Sequence, residues 1–148
     1  MKRTALAVIT IFILCLVANQ AFAQGAGIEW ETLNQEVMEL YRTGQYARAV
    51  TVAQAALRVA EQDVGPEHPD VATSLNNLAE LYRTLGDYAK AEPLYKRSLA
   101  ISEKALGPEH PDVATSLENL AALYRATKRL SEAAELEARA KKIRAIKR

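Results

Sequence analysis

The chain has 148 residues, one cysteine and a formal net charge of +1. A nearly neutral protein has no overall positive field with which to attract nucleic acid, so a nucleic-acid partner is not expected. The length is sufficient for one domain with a modest hydrophobic core.

Residues 1–23 have the features of a signal peptide. Lys2 and Arg3 give a positively charged start, residues 5–18 form an apolar run, and residues 21–23 have the small-x-small pattern that signal peptidase recognises. The apolar run is shorter than the roughly 20 residues that span a bilayer. We therefore expect residues 1–23 to be removed on export, so that contact with a membrane is transient. The destination is the periplasm in a Gram-negative bacterium, and otherwise the exterior of the cell.

Two alternatives to cleavage are an uncleaved membrane anchor and a lipid attached to Cys15. Ile13 and Leu14 precede this cysteine, whereas a lipoprotein signal has small residues there. Cleavage leaves residues 24–148 as the mature domain, which contains no cysteine and therefore no internal disulfide. It also changes the net charge from +1 to about −1, because two basic residues leave.

The mature chain contains an internal repeat. Residues 65–75 recur letter for letter at residues 107–117, and the similarity continues at the same 42-residue offset as far as Arg83 and Arg125. A weaker copy lies upstream, with Gly44 at the position of Gly86. The three copies cover approximately residues 31–64, 70–106 and 112–146.

Each copy has the pattern of two helices. In the middle copy the first apolar face consists of Leu75, Leu78, Ala79 and Tyr82. Gly86 can end this helix in the left-handed conformation, and Asp87 can cap the next one. The apolar face of the second helix consists of Tyr88, Ala91, Tyr95, Ser98 and Leu99. Because Pro93 lies within this second helix, we expect a bend or a later start there.

The repeat resembles the tetratricopeptide repeat. The residues that carry the resemblance are Ala79, Tyr82, Gly86, Ala91 and Tyr95. The 42-residue spacing and the linker Gly-Pro-Glu-His-Pro-Asp-Val-Ala are similar to those of the kinesin-light-chain-like branch. The resemblance covers about residues 33–143 and implies an all-α fold, a short right-handed α-solenoid of three antiparallel helix pairs. It also implies a scaffold that binds a protein or peptide partner.

No motif for catalysis or for a cofactor is present in the sequence. His68 and His110 occupy equivalent linker positions, which favours a shared structural role over a metal site. The sequence lacks a Gly-x-Ser-x-Gly elbow and a glycine-rich phosphate loop. We therefore predict no enzymatic activity, no catalytic residue, no metal and no cofactor.

In proteins with this repeat, the first helix of each pair lines a concave groove that holds an extended peptide or a partner helix. The resemblance places nine candidate residues in that groove: Gln35, Arg42, Asn76, Asn77, Glu80, Arg83, Glu118, Asn119 and Arg125. Asparagine is unfavourable inside a helix. Its occurrence at two equivalent positions therefore predicts hydrogen bonds to a peptide backbone or between repeats, with Gln35 as a third member of the row.

Arg83 and Arg125 form a second equivalent pair, and Arg42 is the expected third member. Such a row can hold acidic side chains or a free C-terminus through paired hydrogen bonds. In the other interpretation these arginines pair with nearby glutamates. The register of the first copy is ambiguous, because the triplet Leu-Tyr-Arg at 40–42 precedes the same triplet at 81–83 by a 41-residue offset instead of the 42-residue one.

Self-association through the last helix is the alternative function. The apolar stripe that would mediate this contact consists of Leu130, Ala133, Leu136, Ala140 and Ile143. The same helix ends in a basic segment, either a solvated terminus or a site for phosphates or anionic lipid. Its basic residues are Arg139, Lys141, Lys142, Arg144, Lys147 and Arg148.

Overall fold

The structure is a computed structural model that describes residues 27–146 of the chain. Within that range the backbone forms six helices and no strand. The helices are α1 (27–42), α2 (Tyr46–Val64), α3 (Pro69–Thr84), α4 (Tyr88–Leu106), α5 (Pro111–Ala126) and α6 (Leu130–Arg144). None of the helices in the described range is long and apolar enough to cross a membrane. The proposed signal peptide lies outside the described residues, as do Lys147 and Arg148.

Neighbouring helices along the chain pack against each other. Helix α2 packs against α3, α3 against α4, α4 against α5, and α5 against α6, while α3 also touches α5. Helix α1 joins α2 and α3 in one apolar cluster that includes Val37, Ala53 and Leu81. The first helices α1, α3 and α5 therefore alternate with the second helices α2, α4 and α6. This arrangement confirms the prediction of an all-α solenoid of three helix pairs.

The two histidines begin the first helices of the second and third repeats. Each is the N-cap residue and is followed by a proline at the first helical position. The Nδ1 atom of His68 accepts a hydrogen bond from the backbone N of Asp70 at 3.2 Å, and His110 does the same for Asp112. One free N–H group at each helix start is thereby satisfied. The shared structural role predicted for the histidines is therefore present, and no group of three potential metal ligands occurs within residues 27–146.

The turn inside each repeat requires a left-handed residue. Gly44 and Gly86 adopt φ values of 74° and 79°, which glycine reaches without steric cost. The third repeat has Lys128 at this position with φ of 62°, and it is the only non-glycine residue with a positive φ in the described range. A side chain in this conformation costs about 1–2 kcal/mol. The third turn therefore keeps the shape of the other two at the expense of local strain.

The turn hydrogen bonds also fix the register of α1. The backbone N of Gly44 donates to Tyr41, as the N of Gly86 donates to Arg83. Both bonds follow the 42-residue offset, so Tyr41, and not Arg42, is the equivalent of Arg83. The prediction that Arg42 completes the arginine row is therefore wrong. The Leu-Tyr-Arg triplet of α1 is shifted by one residue relative to the backbone repeat.

Small residues allow α3 and α4 to approach closely. Ala79 and Ala91 are buried, and the Ser98 hydroxyl donates to the backbone oxygen of Ala72 at 2.7 Å. The predicted inner face of α4 is correct except for Tyr88, which is exposed at the helix start. Helix α4 includes Pro93 without interruption and begins at Tyr88, so the expected later start is wrong. The proline faces solvent within this helix, and a bend there stays a prediction.

The apolar stripe of α6 is not available for self-association. Ala133, Ala140 and Ile143 are buried within the chain, and Leu136 packs against the apolar clusters that α5 forms with its neighbours. Only Leu130 of the five predicted residues is strongly exposed. The prediction that this stripe forms an interface between chains is therefore wrong, because the α5–α6 contact already covers it.

Candidate functional site

The first helices of all three repeats enclose a pocket of about 190 Å³. Its residues come from α1, α3 and α5: Val37, Met38, Tyr41, Asn76, Asn77, Glu80, Leu81 and Asn119. Four of them are apolar or aromatic, three are amides, and one is a carboxylate. This surface, called the groove pocket below, contains four of the nine groove residues predicted from the sequence.

The 42-residue repeat arranges the groove in rows across the three helices. Gln35, Asn77 and Asn119 form one row, and Met38, Glu80 and Ala122 form the next. Gln35 therefore occupies the position predicted for it, where it is exposed. The sequence analysis missed Met38, because the shifted Leu-Tyr-Arg triplet obscured the register of α1. Applying the 42-residue offset to Glu80 would have found it.

The asparagines connect neighbouring repeats. Asn77 donates through Nδ2 to the Oδ1 of Asn34 at 3.1 Å, and Asn119 donates in the same way to Asn76 at 3.1 Å. These bonds confirm one of the two interpretations of the asparagine pair, a hydrogen bond between repeats. Each of these amide groups has further hydrogen-bonding capacity. The two pairs therefore form a fixed polar rim beside the apolar part of the groove pocket.

Glu80 accepts hydrogen bonds from three different helices. Its carboxylate receives the Tyr95 hydroxyl at 2.6 Å, the Arg83 Nε at 2.9 Å and the Tyr41 hydroxyl at 3.2 Å. Burial raises the pKa of Glu80, but the hydrogen bonds from Arg83 and Tyr95 outweigh it and hold the pKa below its ordinary value. Burial also raises the pKa of Tyr95, and the bond to Glu80 adds to the effect. Glu80 is therefore an ionised structural centre and not a free groove side chain.

The remaining charged residues predicted for the groove are also paired. Arg83 binds Glu80, and the hydrogen bond between them raises the arginine pKa. Arg125 binds Glu137 through two hydrogen bonds of 2.5 and 2.6 Å. Arg42 binds Glu39, and Glu118 accepts from Arg144. The structure therefore shows the arginines in the second of the two predicted states, paired with nearby glutamates.

Similarity to known proteins agrees with this geometry. The tetratricopeptide repeat family model matches residues 32–104 and 76–145. The chain belongs to the tetratricopeptide repeat family. Its repeats are of the kinesin-light-chain-like type and form a scaffold for protein–protein interaction. A search of curated proteins gave no match.

Solved structures with the same fold come from P. vanneervenii and Podosopora anserina. BtubC (BKLC) from P. vanneervenii is 30% identical with a TM-score of 0.72, and the match covers 78% of this chain and 46% of that protein. A putative kinesin light chain from Podosopora anserina with nearly identical TPR-like repeats is 28% identical with a TM-score of 0.71, covering 78% and 55%. A single-substitution variant of the Podosopora anserina protein is also 28% identical with a TM-score of 0.71, covering 78% and 54%. This tetratricopeptide repeat chain spans about half the length of these proteins.

Proposed function

We propose that this tetratricopeptide repeat protein is an exported adaptor that binds an extended segment of another protein in its concave groove. The groove pocket carries this proposal, because all three repeats contribute to it and it combines an apolar floor with an amide rim. Its volume of about 190 Å³ is below the several hundred Å³ of a typical small-molecule site. A single side chain of a longer ligand suits that size.

The apolar residues of the pocket define the side chain that it would accept. Met38 is 60% exposed at the pocket, and its flexible thioether adapts to different ligand shapes. Val37 and Leu81 line the same pocket and are themselves buried. An aliphatic ligand side chain would cover Met38, while the asparagine rim bonds the ligand backbone. The proposed ligand is therefore an extended peptide with an aliphatic anchor.

The sequence also predicted an acidic ligand or a free C-terminus, and binding of such a ligand would require existing ion pairs to break. Arg83 would have to leave Glu80, and Arg125 would have to leave Glu137, before either bound a new carboxylate. The Arg83–Glu80 pair is half-buried and shares its carboxylate with Tyr95, so this exchange is unfavourable there. Arg125 is more exposed than Arg83, so exchanging Glu137 for a ligand carboxylate would cost less free energy.

Panning a random peptide library separates the aliphatic and acidic ligands. The protein is expressed from the complete 148-residue sequence and used in the form that the cell produces. Met38→Glu places a charge in the groove pocket without disturbing the core, since this side chain is exposed. Leu85→Glu is the matched control, because Leu85 is 50% exposed and lies outside the pocket. Arg125→Ala tests the acidic ligand.

We expect the enriched peptides to share an aliphatic residue, to lose binding at least tenfold with Met38→Glu, and to keep it with Leu85→Glu. Their binding should be insensitive to Arg125→Ala. If the enriched peptides are acidic and need Arg125 for binding, the result would contradict the aliphatic anchor and support the acidic ligand. Peptides that bind both glutamate variants equally would place recognition outside the groove.

Export is the second part of the proposal and rests on residues 1–23. If signal peptidase acts after Ala23, the protein recovered from the cell envelope begins at Gln24. Intact-mass measurement of the recovered protein distinguishes this product from a retained anchor and from a lipid on Cys15. An unprocessed mass would contradict cleavage without affecting the groove experiment.

A further inference from the structure

Helix α1 differs from α3 and α5 on the face that would meet a preceding repeat. In α3 this face includes Val71, Leu78 and Leu81, which are buried against the first repeat. In α5 the equivalent residues are Val113, Leu120 and Leu123, and they are also buried. In α1 the same three positions are Glu29, Glu36 and Glu39. At these three positions the exposed face of the first repeat is therefore acidic, whereas the internal faces are apolar.

Helix α6 differs from α2 and α4 in the opposite sense. Leu57 of α2 and Leu99 of α4 pack against the next repeat, and the equivalent residue in α6 is Lys141. Ala60 of α2 is buried against α3, and Arg144 occupies its position in α6. At these two positions the exposed face of the last repeat is therefore basic.

The acidic and basic positions are those that face each other inside the solenoid. Leu57 packs on the cluster that contains Val71 and on the cluster that contains Leu78. Leu99 packs in the same way on the clusters that contain Val113 and Leu120. If a second copy continued the stack, Lys141 of one chain would therefore lie opposite Glu29 and Glu36 of the next.

The three side chains are available for such a contact. Glu29, Glu36 and Lys141 are exposed and make no ion pair or side-chain hydrogen bond with the rest of residues 27–146. Glu39 and Arg144, in contrast, are already paired with Arg42 and Glu118. The alternative explanation is that each charged face only keeps one end of the solenoid soluble.

We propose that copies of this chain associate head to tail, with the acidic α1 face of one against the basic α6 face of the next. The contact joins two different surfaces, so it generates an open series of oligomers and not a closed dimer. Removing charges from water opposes their attraction, which makes the association weak. Salt screens the attraction between exposed charges and should dissociate the oligomers.

Sedimentation velocity at increasing protein concentration tests this proposal, with the protein in the form that the cell produces. At about 20 mM salt the mean mass should rise with concentration, and at about 300 mM the protein should stay monomeric. Lys141→Glu and Glu36→Lys should each abolish the rise at low salt. Lys142→Glu and Glu31→Lys are the matched controls, because both residues are exposed and their equivalents in the second repeat, Ala100 and Thr73, face solvent.

Mixing the two active variants gives a second readout. Lys141→Glu and Glu36→Lys should each be monomeric alone. Lys141→Glu keeps the acidic α1 face intact, and Glu36→Lys keeps the basic α6 face intact. An equimolar mixture should therefore regain association at low salt. A monomer under all conditions would overturn the proposal, as would control variants that disrupt association as strongly as the two active ones.

Discussion

Replacing Glu80 with alanine should destabilise the protein more than any other exposed or half-buried ion-pair substitution. The change removes the acceptor for the Tyr95 hydroxyl, whose ring is fully buried between the second and third repeats. An unpaired buried hydroxyl costs about 1–3 kcal/mol. Arg83 also loses its carboxylate partner, and Tyr41 loses one of its two hydrogen bonds, so we expect a total loss of about 2–4 kcal/mol. That is a large part of the roughly 5–15 kcal/mol that stabilises a typical domain.

Urea denaturation measures this loss, and Glu39→Ala is its matched control. Glu39 and Arg42 form an ion pair with the same i,i+3 spacing on α1, but both side chains are exposed. Exposed pairs contribute little, so the control should leave the denaturation midpoint almost unchanged. Glu80→Gln keeps an oxygen for Tyr95 and should cost about 1 kcal/mol. Equal midpoints for Glu80→Ala and Glu39→Ala would refute the assignment of Glu80 as a structural centre.

The pH dependence gives an independent check on Glu80. Its pKa lies below the ordinary value because the bonds from Arg83 and Tyr95 outweigh burial. A lowered carboxyl pKa contributes stability above the unfolded-state pKa, and this contribution is lost as the pH falls through the folded-state pKa. The stability of the wild type should therefore decrease more steeply below about pH 4.5 than that of Glu80→Gln.

Three further substitutions test the turns, the caps and the packing. Lys128→Gly should raise the unfolding free energy by about 0.5–1 kcal/mol, because relief of the backbone strain exceeds the cost of the added entropy of the unfolded chain. An unchanged urea midpoint would contradict the strain at Lys128. His68→Ala should lower the unfolding free energy by about 1 kcal/mol, and His68→Asn should keep most of it, because asparagine also caps a helix. Equal urea midpoints for the wild type and His68→Ala would exclude the capping role. Ala91→Val should lower the unfolding free energy by about 1–3 kcal/mol through overpacking, and the thermal midpoint should fall. Ala89→Val, on the exposed face of the same helix, should change the midpoint much less.

Most of the fold was predictable because the packing positions repeat. The 42-residue offset gave the helix pairs, and the equivalence of His68 and His110 gave their common structural role. The α6 stripe was mistaken for an interface because sequence periodicity identifies an apolar face without identifying what covers it. The later start expected at Pro93 was also wrong, since the packing of Ala91 and Tyr95 keeps α4 continuous across the proline.

The groove was predicted less well, because its residues differ between repeats. The list from the sequence included Glu80 and Arg83, whose pairing with each other and with Tyr95 depends on distances between helices. It missed Met38, since similarity of the Leu-Tyr-Arg triplet favoured a register that the backbone does not follow. Residues that pack inside the solenoid recur at equivalent positions in each repeat. Groove residues vary between repeats, so they must be located through the backbone register.

The asparagine pairs connect the groove to the ends of the solenoid. Asn34 and Asn76 each accept a hydrogen bond from the following repeat, and the equivalent residue of the third repeat is Glu118. Glu118 instead accepts two hydrogen bonds from Arg144 on α6, each at 2.7 Å. Arg144 thus supplies, within the third repeat, the donor that a following repeat supplies to the first two. Arg144 is also one of the two basic residues on the exposed face of α6, so this residue contributes both to the polar rim and to the charge of that face.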